Sequence, residues 1–213
     1  MSSLHSPEIQ TVLDHLHTSA KGDAERWQVR TGTEAAGSNA AGGGDLIRLG
    51  EFYLAVSPEE GRYLYMLARL SRARRIVEFG ASFGISSVYL GAAARDNGGS
   101  LTTTEVHPDK CAALRKTFEE AGLTDTITLL EGDAFETLAD IDGPVDMVFL
   151  DGWKSAYLPI FNLLRPKLAK GALVLADNCF HEGAKDYLET VQAPQSGYLT
   201  DIKDDLAVTY VLP

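Results

Sequence analysis

The sequence predicts an α/β domain with a mostly parallel seven-stranded sheet, an antiparallel terminal hairpin and helices on both faces. Three observations lead to this architecture. Short apolar runs alternate with helical patterns five times between Arg75 and Val191, and parallel strands need a crossover between them, usually a helix. Two β-like runs, 198–202 and 206–212, close the chain around Lys203, Asp204 and Asp205, which is the pattern of a hairpin. The 213 residues, 45% hydrophobic and 23% charged, are enough for one full core.

The elements follow in order. Ser6 before Pro7 caps a helix whose Ile9, Val12, Leu13 and Leu16 share one face. From Lys21 to Asp45 the pattern dissolves, and 32–44 is rich in glycine and alanine. Such a segment reads either as a linker or as a flap that orders over a ligand. Residues 1–56, a helix plus a flexible flap or oligomerisation segment, are therefore set apart from the main domain over 57–213. Ser57 and Pro58 start a second helix that carries Tyr63, Leu64, Leu67, Ala68 and Leu70. Strands are predicted at 75–80, 100–106, 126–131, 145–151 and 171–177. Helices are predicted between them at 85–95, 108–121, 134–138 and 157–168, the last broken near Pro159 and Pro166, with a final helix at 182–191. No internal repeat is evident.

Composition narrows the function. A net charge of −11 and a pI near 4.8 repel a polyanion, so a nucleic-acid partner is disfavoured. The acidity itself reads as solubility. No run approaches the length of a membrane span, and the N-terminus lacks a basic region followed by an apolar one, so no membrane partner and a cytoplasmic location are expected. The two cysteines, Cys111 and Cys179, sit in apolar surroundings, which suits a reducing compartment.

In sheets of this kind ligands bind outside the carboxyl ends of the strands, and every candidate residue falls there. Gly80 follows the first strand in the run Glu78, Phe79, Gly80, Ala81, Ser82, Phe83, Gly84. A glycine there permits a tight turn and close approach of a ligand to the backbone. A simple βα turn would also explain it. The spacing is not the dinucleotide G-x-G-x-x-G, which argues against a nicotinamide-dependent oxidoreductase. Glu105 ends the second strand where a βαβ fold places an acid on a ribose hydroxyl. Loop and acid together point to a nucleoside-bearing cofactor.

Glu78 before Gly80, Glu105, and the third-strand ending Glu131, Gly132, Asp133, Ala134 resemble class I S-adenosylmethionine-dependent methyltransferases, whose fold is Rossmann-like. The resemblance implies Gly80 against the methionine part, Ser86 near its carboxylate, Glu105 on the ribose hydroxyls, and Asp133 and Ala134 beside adenine. A carboxylate can accept from both ribose hydroxyls.

The fourth and fifth strands end on Asp151 and on Asp177 and Asn178, with Lys154 three residues past the first. If these strands are neighbours, three oxygen donors converge. That set suits a hard divalent ion, Mg²⁺ first, with positions left for water and substrate. Each residue alone has an ordinary explanation: a cap, a turn, a solvated lysine. The run from Phe149 through Asp151, Gly152, Trp153, Lys154, Tyr157 and Pro159, followed by Asp177 and Asn178, resembles catechol O-methyltransferase and bacterial small-molecule O-methyltransferases. The likeness spans roughly 57–178 and takes in Glu78 and the stretch from Glu105 and Val106 to Asp109.

By that resemblance Asp151, Asp177 and Asn178 bind Mg²⁺ and Lys154 is the general base. Trp153 packs near cofactor and substrate. Glu78, Val106 and Asp151 join the cofactor site. The implied activity is methyl transfer from S-adenosylmethionine to a hydroxyl of a small, catechol-like aromatic. A phenol is mostly protonated at neutral pH. A neighbouring cation stabilises its oxyanion and disfavours the ammonium form of Lys154, which can then take the proton. A metal-independent methyltransferase of another small molecule is the alternative. The resemblance also implies a homodimer through the N-terminal part. After Asn178 the chain departs from the many relatives that carry a longer insertion there. Phe52, Tyr53 and Val56 are placed near the pocket by position only, and neither His181 nor Cys179 is given a role.

Overall fold

The computed structural model describes residues 2–23, 25–26 and 50–213. The glycine- and alanine-rich stretch 32–44, read as linker or flap, lies outside the described residues. Helix α1 (Pro7–Ala20) begins on Ser6, whose hydroxyl accepts from the Ile9 amide. Helix α2 (Pro58–Leu70) begins on Ser57 in a reciprocal cap with Glu60. Both starts are as predicted, because each cap satisfies amides that the first turn leaves free.

The sheet contains β1 (Arg75–Phe79), β2 (Ser100–Glu105), β3 (Ile127–Glu131), β4 (Val145–Leu150), β5 (Leu168–Ala176), β6 (Tyr198–Lys203) and β7 (Leu206–Val211). Their order is β3-β2-β1-β4-β5-β7-β6. The first five are parallel, and β7 and β6 pair antiparallel. Helices α3 (Ile85–Asp96), α4 (Pro108–Glu120), α5 (Ala134–Thr137), α6 (Tyr157–Leu164) and α7 (Lys185–Gln192) connect them. This is the predicted architecture: a mostly parallel seven-stranded sheet with an antiparallel terminal hairpin and helices on both faces.

Strand alternation assigns the two core layers. Ile76, Met147, Phe149 and Leu175 face a layer shared with α1, α2, α3 and α4, through Ile9, Leu64, Val88 and Leu114 among others. Val77, Val148, Leu150 and Val174 face the layer that holds Ile160, Phe161, Leu164 and Tyr187 of α6 and α7. Leu13 and Leu16 of α1 are 4% and 5% exposed, so the N-terminal helix is part of the main core. Burying each such leucine is worth about 1.5–3 kcal/mol.

Three boundaries differ from prediction by more than one residue. The fifth strand starts at Leu168 rather than Gly171, because Leu168 pairs with Val145 across an irregular register. Helix α6 ends at Leu164, where Pro166 lacks an amide for the next turn and the chain tightens into a 3₁₀ turn, Arg165–Lys167. The last helix is split into a 3₁₀ turn, Glu182–Ala184, and α7. Every strand end named as a ligand position lies on the same edge of the sheet, since β1, β2, β3, β4 and β5 share one direction.

Candidate active site

Two backbones meet at the centre of this edge. Gly80 adopts φ +96°, and a Cβ there would fall 2.6 Å from Gly152 Cα and 2.7 Å from its nitrogen. Only glycine fits both the conformation and the gap. The loop that follows is tied to the second strand. Gly80 N donates to Thr104 Oγ1 at 3.2 Å, and Ser82 N donates to Glu105 Oε2 at 2.9 Å. Glu105 Oε1 accepts from the Val106 and His107 amides, both at 2.8 Å. Three backbone donors therefore fix the Glu105 carboxylate, and two oxygens with about four lone-pair sites leave capacity for a further donor. Val106 beside it is 44% exposed. Asp133 has a local task as well: it caps α5, accepting from Phe135 N at 2.8 Å, with Ala134 buried behind it.

Glu78 lies beneath the loop and not in the open cleft, at 0% exposure. Ser87 donates to its Oε2, and Thr103 Oγ1 donates to the same oxygen at 2.5 Å. Its other oxygen has no hydrogen-bond partner among the described residues. Burial pushes its pKa up, opposed by the hydroxyls of Ser86, Ser87 and Thr103. Ser86 is itself 5% exposed.

The acid pair comes together as the sequence suggested. Leu150 and Ala176 are in register, and Asp177 N donates to Leu150 O at 3.0 Å, so Asp151 and Asp177 are adjacent strand ends. Asn178 follows at φ +48°, a left-handed position that asparagine tolerates better than most residues. Asp177 Oδ1 is buried and has no hydrogen-bond partner among the described residues. Lys154 Nζ donates to Asp151 Oδ1 at 3.0 Å, with both side chains largely buried. Burial lifts the Asp151 carboxyl to about 6, against the pull of Lys154. Burial, then the charge of Asp151, lifts Asp177 to about 7. One lysine does not neutralise this edge. Glu60 at the start of α2 adds to the lift on both acids, and Glu78 adds to that on Asp151.

Trp153 stands between Asp151 and Lys154 and precedes a 3₁₀ turn, Lys154–Ala156. Tyr157 stands in the sequence only as part of a motif, with no role given to it. It is 0% exposed, accepts from Lys154 Nζ at 2.8 Å and donates to the Asp177 carbonyl at 2.9 Å. Burial, then Asp151 and Asp177, raises its pKa well above the ordinary tyrosine value. Its spacing of three residues from Lys154 was the available signal. Passed over outright was Lys110, 4% exposed. It donates to Ser82 Oγ at 2.9 Å, and Ser82 Oγ donates to Tyr53 O at 2.7 Å. That chain fastens Tyr53, stacked on Phe83 at 4.2 Å, to the glycine loop.

Comparison with known proteins fits this geometry. A methyltransferase domain family matches residues 77–179. The pig catechol O-methyltransferase is 33% identical over 145 residues, which are 64% of this chain and 77% of the pig protein. The chain belongs to the catechol O-methyltransferase family. Another catechol O-methyltransferase, from Niastella koreensis, is 34% identical over 134 residues, 61% of this chain and 60% of that protein. The chain spans 54% to 60% of the length of this relative and of three further catechol O-methyltransferases it matches. The fold is shared with an O-methyltransferase of tomaymycin synthesis from Streptomyces achromogenes, solved in complex with SAM. The TM-score is 0.68 at 23% identity, over 92% of this chain and 98% of that one. Among the described residues no helix is long and apolar enough to cross a membrane. Nor do three or more His, Cys, Asp or Glu residues gather there as a metal site. The set expected from this family, two carboxylates and an amide, has a different make-up.

Proposed function

We propose that this chain is an S-adenosylmethionine-dependent O-methyltransferase. In this reading it transfers a methyl group to a hydroxyl of a small, catechol-like aromatic with the help of Mg²⁺. The observation that carries the reading is the buried pair Asp151 and Asp177, adjacent, insufficiently neutralised, and with one oxygen left unpartnered. An unpaired buried carboxylate oxygen is costly unless a cation or donor meets it. Asp151, Asp177 and Asn178 supply hard oxygen donors of the kind Mg²⁺ takes. Such an ion supplies positive charge that stabilises a phenolate oxygen.

The chain's own residues do the rest. Gly80 and Ser86 would border the methionine part of the cofactor, with Glu78 buried beneath the loop. Glu105 would receive the ribose hydroxyls, Val106 would join the cofactor site beside it, and Asp133 and Ala134 would border the adenine. Trp153 packs against cofactor and substrate. Lys154 would accept the proton of the acceptor hydroxyl, and S-adenosylmethionine would supply the methyl group that the freed oxygen takes. Holding both reactants in line supplies much of the remaining acceleration. Within residues 1–56, α1 packs into the core, and the remainder of the segment is proposed to contribute a cover or a homodimer contact to the domain over 57–213.

A second reading, methyl transfer without metal, is favoured by the direct contact of Lys154 with Asp151, which places the chain's own cation at the pair. A methylation screen over catechols and simple phenols, with Mg²⁺ and with excess EDTA, separates the two. Turnover of catechols that needs Mg²⁺ supports the first reading. Turnover undiminished in EDTA overturns the metal part, and no turnover of any hydroxylated aromatic overturns the acceptor class.

A further inference from the structure

Tyr157 opens α6 three residues after Lys154 and reaches across the strand edge to the backbone of Asp177. A phenolic hydroxyl carries one proton. That proton is committed to the Asp177 carbonyl at 2.9 Å, so toward Lys154 Nζ, at 2.8 Å, the oxygen can act only as an acceptor. Asp151 Oδ1, 3.0 Å from the same nitrogen, is an acceptor too. These two fixed acceptors hold two of the tetrahedral directions around Nζ and leave one direction free of them.

Both ends of Lys154 are confined. The Tyr157 ring stands edge-on to Tyr187 at 6.2 Å and 87°, and Phe161 stands edge-on to Tyr187 at 5.4 Å and 79°, so the phenol oxygen is set in a packed layer. On the backbone side, Gly183 lets the 182–184 turn lie against the lysine. A Cβ there would sit 2.9 Å from Ser155 N and 3.2 Å from Lys154 Cβ. A free lysine has many rotamers, and a productive geometry lost by about 1 Å can cost ~100-fold in rate.

We propose that Tyr157 is a positioning residue: as a one-way hydrogen-bond acceptor it orients the Lys154 Nζ so that its remaining direction meets the acceptor hydroxyl. The inference rests on Lys154 being the base. Tyr157 acts on the reaction only through the Lys154 amine. It links the Asp177 end of one strand to the lysine that follows the other, so the base and the acid pair move as one unit.

The test compares Tyr157→Phe, Lys154→Ala and wild-type protein, measuring kcat, both KM values, the Kd of S-adenosylhomocysteine and the melting temperature. The phenylalanine keeps the ring contacts and removes the hydroxyl, both as acceptor toward Lys154 and as donor to the Asp177 carbonyl. Its kcat is expected to fall about tenfold to a hundredfold, with cofactor KM and Kd within about twofold of wild type. A fall in cofactor affinity as large as that in kcat marks a merely structural role and overturns the proposal. So does an unchanged kcat while Lys154→Ala is impaired. Wild-type turnover in Lys154→Ala overturns the base reading itself, and the proposal with it. Should the phenylalanine variant fold poorly, 3-fluorotyrosine at position 157 keeps the shape and weakens the acceptor. A smaller fall in kcat is then expected, and no fall contradicts the proposal.

Discussion

Replacing Asp177 by asparagine removes a buried charge without changing the shape of the strand end. Asp177 titrates in the folded protein at about 7, against an ordinary 3.8. A carboxyl raised in this way binds its proton more tightly folded than unfolded. Its contribution to stability is complete below the ordinary value and is lost as pH rises from about 4 through 7. Each unit corresponds to about 1.4 kcal/mol, so roughly 3 units set a ceiling near 4 kcal/mol, shared with Asp151 because the two charges repel. In a chelating buffer Asp177→Asn is therefore expected to match wild type near pH 4. By pH 8 it should exceed it by about 2–4 kcal/mol, which for a chain of this size is a rise in Tm of roughly 5–10 °C. The assay is thermal or urea unfolding across that range. Excess Mg²⁺ should raise the wild type at pH 8 more than the variant, since binding to the folded state alone stabilises it. A variant less stable than wild type at pH 8 in chelator, or a difference flat with pH, would refute the idea of an unneutralised acid pair.

Further outcomes follow from the same geometry. Gly80→Ala places a Cβ 2.6 Å from Gly152 Cα at φ +96°, so calorimetry should show cofactor binding lost and a lower Tm, whereas wild-type affinity would mean the two loops separate easily. S-adenosylhomocysteine at 100 times its Kd should add about 2.7 kcal/mol of stability; no thermal shift at millimolar ligand counts against the cofactor. Lys154→Ala should lower kcat at least ~100-fold and leave cofactor Kd nearly unchanged, as single-turnover kinetics can separate.

The sheet was legible because its central strands are buried on both faces: Ile76 and Val77 face different layers, so such strands read as short apolar runs between helical patterns. The acid pair was legible because Asp151 and Asp177 stop apolar runs, and a parallel register brings such ends together. Other features depend on contacts that no local pattern carries. Glu78 was placed in the cofactor site by its position before Gly80, but its complete burial follows from Ser87 and Thr103 arriving from two other elements. Asp133 looks like a ligand residue and also serves as a helix cap. Tyr157 was in view as part of a motif, but its bond to the Asp177 carbonyl spans twenty positions of sequence. The early start of β5 at Leu168 depends on an irregular pairing with Val145, to which alternation within one strand is blind.

The central claim is tested most directly by following labelled methyl from S-adenosylmethionine into a catechol, with Mg²⁺ and then with excess EDTA, using wild-type protein and Asp177→Asn. The label should enter the catechol oxygen with Mg²⁺ and wild-type protein, and should be lost on chelation or on substitution of Asp177. Equal labelling in all three conditions, or none in any of them by protein that binds S-adenosylhomocysteine, would contradict the assignment of this strand edge to metal-assisted O-methyl transfer.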